Sequence, residues 1–140
     1  MINEVNFMEM AIAISQKSKD PITKVGAVYT RIDLGGEYLI GKGYNKMVDG
    51  ADYPWKRPDK YDYVIHAEIA ALRQANYIAG ATLYTTLHPC KECSKILVFF
   101  GIKKIYYLED KYECKISHEI FDNAKIEREL WKEQVCTNSI

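Results

Sequence analysis

His66, Glu68, Cys90 and Cys93 are the residues of this chain whose types and spacing can do chemistry together. One imidazole and two thiolates supply three ligands to a zinc ion, and a catalytic zinc keeps its fourth position for water. Cys90 and Cys93 are three apart, so on a helix they share a face and can grip one ion. Pro89 suits the start of that helix, and thiolates at a helix N-terminus are favoured by the positive end of its dipole. Two thiolates balance the dication, and water held beside it is acidified toward neutral pH. Glu68 is too near His66 to be read as a ligand on the same helical face. It can reach the fourth position from beside the ion, where a carboxylate takes a proton from water and hands it to a reacting group. Two other uses of these residues stay open: a closed zinc site with Cys114, Cys136, His88 or His118 as fourth ligand, or a redox dithiol in the Cys-x-x-Cys pair. Neither gives Glu68 a role.

Such a site needs elements to hold it. Over residues 3–18, Val5, Met8, Ala11 and Ile12 form one apolar row and Phe7, Met10 and Ile14 an adjacent one. The spacing predicts a helix with a wide buried face, capped by Asn3 and ended before Pro21. Residues 25–30 and 38–44 read as strands joined through Asp33-Leu34-Gly35-Gly36, a hairpin. Residues 45–63 are rich in Asp, Pro, Gly, Tyr and Trp without a period, which predicts a long loop that covers the site and lines its pocket. A helix is expected over 66–78, closed by Gly80, then a strand over 81–87 and a helix over 90–100 stopped by Gly101. A strand over 104–108, a helix over 117–123 and a strand over 126–130 complete the pattern. Strands alternating with helices of this length call for parallel pairing and helices packed on a sheet, an α/β fold.

The 140 residues are expected to form one domain, residues 1–140. Basic and acidic residues balance at 19 each, so no global field draws the protein onto nucleic acid or an anionic membrane. Lys56-Arg57, Lys103-Lys104 and Lys111 are interleaved with acids, against the basic face that folded RNA would require. Met1-Ile2-Asn3-Glu4 lacks a basic region followed by an apolar core, and no run approaches a membrane span, so a cytoplasmic protein is expected. Cys114 and Cys136 are then reduced bystanders. Tyr61, Tyr63, Tyr106, Tyr107 and Tyr112 read as strand or interface packing ahead of base-stacking platforms. His88 and His118 read as structural, and Trp131 as core or subunit contact.

His66-Ala67-Glu68 followed by Pro89-Cys90-Lys91-Glu92-Cys93 is the H-x-E and P-C-x-x-C signature of zinc deaminases, a known motif matched here and not deduced afresh. The likeness extends to Ser18-Lys19-Asp20-Pro21 with Val25-Gly26-Ala27, to Gly43-Tyr44-Asn45, Pro54-Trp55 and Lys60-Tyr61-Asp62-Tyr63-Val64-Ile65. It continues in Gly101-Ile102-Lys103 and Asp110-Lys111-Tyr112. In this order, over roughly residues 18–112, the blocks resemble the deoxycytidylate (dCMP) deaminases. The resemblance implies a three-layer α-β-α sandwich with a five-stranded mixed sheet, a zinc cofactor, hydrolysis of dCMP to dUMP and ammonia, and a homo-oligomer, often a hexamer. It implies Asn45 on the sugar hydroxyl, the Ala67 amide on the pyrimidine carbonyl, the Cys90 amide on the developing charge and Glu68 as proton shuttle. Lys19, Lys111 and Tyr112 are the candidates for the 5′-phosphate, which needs cationic and hydroxyl donors. The chain departs from the family at Ala70, where asparagine is usual, at Lys46, where glycine is usual, and in a short loop over 46–55. In the family that loop helps to bind dCTP as activator and dTTP as inhibitor. The stretch from His66 to Gln74 is also similar to tRNA adenosine deaminases, which keeps another substrate of the same superfamily, a tRNA adenosine or a free or modified cytosine nucleotide, as a second reading. A non-catalytic zinc-stabilised or RNA-binding module is a third.

Overall fold

The computed structural model describes residues 6–56 and 59–132. The chain opens with α1 (Phe7–Ser15), whose N-cap is Asn6: its Oδ1 accepts the Glu9 amide at 3.0 Å. Asn3, expected in that role, lies outside the described residues. The predicted hairpin is present as β1 (Gly26–Asp33) and β2 (Gly36–Tyr44), antiparallel and in register from Gly26 opposite Tyr44 to Asp33 opposite Gly36, with one bulge between Tyr29 and Thr30.

The stretch expected to be one long loop contains more structure than its composition predicts. Strand β3 (Lys46–Met47) pairs antiparallel with β4 (Val64–Ile65), and between them lies the five-residue helix α2 (Asp59–Tyr63). Elements this short complete no repeat of a helical or strand period, so no pattern betrays them. The small β3–β4 ladder closes the loop at its base and delivers the chain directly to His66.

Helix α3 (Ala67–Ala75) ends earlier than Gly80 predicts. Asn76 takes a left-handed φ of 61° and donates its amide to the Leu72 carbonyl at 2.8 Å, which stops the helix; Gly80, φ 77°, marks the next turn instead. Then follow β5 (Thr82–Leu87), α4 (Lys91–Phe99), β6 (Lys104–Glu109), α5 (Lys115–Asn123) and β7 (Glu127–Leu130). The five long strands form one sheet in the order β2-β1-β5-β6-β7. Its first pairings are antiparallel, and β5–β6 and β6–β7 are parallel, as the helical crossovers require.

Both faces of the sheet are covered, and the period-two alternation shows it. Ala27, Tyr29, Leu83 and Ile105 point into a core shared with Ala67 and Ala71 of α3, Leu97 of α4 and Phe121 of α5. Their neighbours Val28, Tyr84 and Tyr106 point the other way, against Phe7, Met8 and Ala11 of α1, with Trp131 edge-on to both tyrosine rings. The result is the expected α-β-α sandwich. Helix α3 packs backbone to backbone on β2. A Cβ added at Gly43 would stand 2.5 Å from the Ala71 nitrogen, and one at Gly41 2.6 Å from the Ala75 nitrogen. Only residues without side chains permit this approach. No helix among the described residues is long and apolar enough to cross a membrane.

Candidate active site

The two runs singled out from sequence arrive from opposite directions. β4 leads into His66, which sits in extended conformation as the N-cap of α3, with Glu68 in that helix's first turn. β5 runs through His88 and Pro89 to Cys90, the N-cap of α4. Pro89 therefore stands one place ahead of the position expected for it. The Cys90 Sγ accepts the Cys93 amide at 3.4 Å, so a sulfur does the work of a capping oxygen at the positive end of the helix.

The His66 Nδ1 lies 3.2 Å from the Cys93 Sγ and 3.4 Å from the Cys90 Sγ. Zinc–nitrogen and zinc–sulfur bonds of ordinary length at a tetrahedral angle place such atoms about 3.5 Å apart. The donor set therefore fits zinc after adjustments of a few tenths of an ångström. Among the described residues this cluster is His66, Cys90 and Cys93 alone, the count of an open site. Cys136, a candidate fourth ligand, lies outside the described residues. Cys114 caps α5. A hydrogen bond from Cys93, and then His66, pull the Cys90 thiol well down, while Cys93, which keeps the shared proton, is pushed up. One of the two sulfurs is thus already a ready anionic ligand. Glu68 is 4% exposed. Burial pushes its carboxyl above the usual range, while His66 pulls the other way. Its main-chain carbonyl accepts the Tyr29 hydroxyl at 2.7 Å, which ties the first turn of α3 to β1.

His66, Ala67, Glu68 and Cys90 line a cavity of about 310 Å³, large enough for a small ligand. Asn45 and Tyr112 line it too, as expected. The Asn45 amide is largely engaged: Oδ1 accepts the Val25 amide and Nδ2 donates to the Thr23 carbonyl, each at 2.9 Å. One hydrogen and one lone pair remain for a ligand.

Two of the phosphate candidates are displaced. Lys19 lines a different cavity of about 280 Å³, together with Lys17 and Lys46. Lys111 lines neither, and its Nζ lies 5.5 Å from the centre of the Tyr112 ring. The cation in the wall is Lys60, which sequence reading passed over, paired with Asp20 at 2.7 Å. The Asp20 Oδ1 accepts the amides of Ile22 and Thr23 at 2.9 and 3.0 Å. Burial alone would raise this carboxyl, but Lys60 and the two amides outweigh it and hold it below its ordinary range. Both residues sat inside the quoted blocks, so the signal was present as a family pattern without a partner assigned.

A second group, His88, Asp110 and His118, also brings ligand-type atoms within 4.8 Å of one another. Here most of the atoms are engaged with one another, although the buried His88 Nε2 has no hydrogen-bond partner among the described residues. Arg128 approaches the His118 Nδ1 at 3.3 Å, which leaves the proton on Nε2, and Nε2 donates to Asp110 Oδ2 at 2.6 Å. The His88 ring stacks on His118 at 4.1 Å, with its Nδ1 3.1 Å from the Pro89 carbonyl. The structural reading of these histidines accounts for this arrangement.

Residues 1–109 match the family described as the cytidine and deoxycytidylate deaminase zinc-binding region. The chain belongs to this family. It is 35% identical over 135 residues to a deoxycytidylate deaminase of Pongo abelii, an alignment covering 86% of this chain and 74% of that protein. It is 37% identical over 117 residues to the deoxycytidylate deaminase of Mus musculus, covering 76% of this chain and 64% of that one. The chain thus spans between two thirds and three quarters of the first relative's length and just under two thirds of the second's. Among solved structures, the dCMP deaminase of the cyanophage S-TIM5 in complex with dCMP and dUMP superposes with a TM-score of 0.76 at 27% identity, covering 89% of this chain and 93% of that one. Zinc is the metal of this family, and the His66, Cys90 and Cys93 cluster is the donor set that suits it.

Proposed function

We propose that this chain is a zinc-dependent hydrolase that converts dCMP and water to dUMP and ammonia, with His66, Cys90 and Cys93 as metal ligands and Glu68 as proton shuttle. The observation that carries the reading is a buried carboxylate lining the same cavity as His66 and Cys90, two of the three donors of the zinc cluster. Zinc held there supplies water acid enough to attack near neutral pH. The Glu68 carboxylate accepts a proton from that water as oxygen bonds to C4 of the cytosine ring. It delivers the proton to N3, receives the second one, and passes it to the amino group, so that the C4–N bond breaks and ammonia leaves. A carboxyl whose pKa is raised by burial is suited to both halves of this exchange. The Ala67 amide is the donor for the ring carbonyl, and the Cys90 amide, at a helix N-terminus, faces the developing charge. Asn45 offers its remaining hydrogen and lone pair to the sugar.

In the same reading the protein is a single cytoplasmic domain that assembles as a homo-oligomer. The departures at Lys46 and Ala70 and in the short loop count against control by dCTP or dTTP; the 280 Å³ cavity there sets Lys17, Lys19 and Lys46 against Asp49 and Asp52, with Lys46 paired to Asp49 at 3.3 Å. An ammonia-release panel over dCMP, CMP, deoxycytidine and a tRNA anticodon arm tests the main reading. Turnover is expected on dCMP; release from the RNA alone would replace it with the RNA reading.

A further inference from the structure

A nucleoside monophosphate brings a dianionic group into the cavity, and among the described residues Lys60 is the one lysine or arginine that lines it. Its side chain is 18% exposed and that of Asp20 is 1% exposed. The ammonium, not the carboxylate, is therefore the reachable member of the pair. Asp20 is fixed by the amides of Ile22 and Thr23 on Oδ1, and its Oδ2, 2.7 Å from the Lys60 ammonium, holds that ammonium by the ion pair. One of the three ammonium hydrogens faces Asp20, and two remain for a ligand. Phosphate oxygens on a pre-placed ammonium form short, charge-assisted bonds without the cost of freezing a long side chain. The same Asp20 limits what can bind. Beyond one phosphoryl group, added negative charge meets no second lysine or arginine among the described residues of the wall, and a buried carboxylate is paired with the first.

We propose that the Asp20–Lys60 ion pair is the charge-selecting end of the cavity: Lys60 binds the 5′-phosphate of a nucleoside monophosphate, and Asp20 positions the ammonium and caps the negative charge accepted. This rests on the deaminase reading above and adds to it the residues that choose among its substrates.

The test is the ratio of kcat/KM for dCMP to that for deoxycytidine, measured on the zinc-loaded full chain. A ratio is insensitive to the fraction of enzyme that folds. Lys60→Gln is expected to lower it roughly 10- to 100-fold, the range for losing a hydrogen bond to a charged group, mainly through KM for dCMP. Asp20→Asn is expected to narrow the preference for dCMP over dCDP. Should either single variant fail to fold because it strands a buried charge, the double variant Asp20→Asn/Lys60→Gln, which carries neither, decides through the same ratio. Inorganic phosphate is expected to compete with dCMP in the wild type and not in the double variant. An unchanged ratio in Lys60→Gln and in the double variant would overturn the proposal and leave the pair a structural clamp. Wild-type enzyme that turns over deoxycytidine as fast as dCMP would overturn it too, with the deaminase reading intact. Absence of ammonia from every cytosine compound would instead remove that reading.

Discussion

Among the described residues two histidine-containing clusters stand on either side of Pro89, and one of them is the donor set that suits zinc. His66, Cys90 and Cys93 bring a nitrogen and two sulfurs together, open to a cavity and next to Glu68. His88, Asp110 and His118 are as close to one another, yet Arg128 supplies the positive charge that an ion would have supplied, 3.3 Å from His118 and 2.7 Å from Asp122. Proximity of ligand-type atoms is thus necessary and not sufficient. An arginine already paired into a cluster opposes a dication there, whereas two cysteine sulfurs beside one imidazole, able to give up their protons to a metal, have no such charge against it.

That distinction can be broken in several ways. Cys93→Ser should have the largest effect, with zinc content falling well below one per chain and turnover lost. Retention of full zinc by this variant would mean that the metal sits in the second cluster. Glu68→Gln should keep zinc at one per chain and lower kcat by roughly 10²- to 10⁴-fold, the usual weight of a positioned acid–base group. Near-normal turnover in it would remove the shuttle. His118→Ala should leave zinc content unchanged and cost about 1–2 kcal/mol in denaturant unfolding, since it ends the chain of bonds from Asp110 to Arg128. Two zinc ions in the wild type falling to one in this variant would erase the difference between the clusters. Asp122→Asn should have the smallest effect, about 0.5 kcal/mol or less, because Asp122 is 67% exposed and its ion pair with Arg128 is screened by water.

What could be read from sequence follows from how local each feature is. His66, Glu68, Cys90 and Cys93 were legible because each half of the site is a run of a few residues at a helix start, and helical geometry converts such spacing into position. The strands were legible because Val28, Tyr84 and Tyr106 alternate with Tyr29, Leu83 and Ile105 between two buried faces. Lys60 was not legible as a binding residue. Its partner Asp20 is remote in sequence, and only the fold turns Asp20 toward the cavity while the adjacent Lys19 faces another one. The end of α3 was misplaced because an asparagine at φ 61° performed the turn usually given to glycine. The β3–β4 ladder escaped because two residues make no pattern.

The close approach of α3 to β2 at Gly41 and Gly43 bears on the reaction itself. The seat of α3, and with it the place of Glu68 in the proposed mechanism, is set from behind by two missing side chains in β2. A single added methyl group there would force the helix that carries Glu68 to shift while every residue of the cavity wall kept its identity. Such a lesion would register as lost rate with binding preserved, a fault in aim and not in recognition.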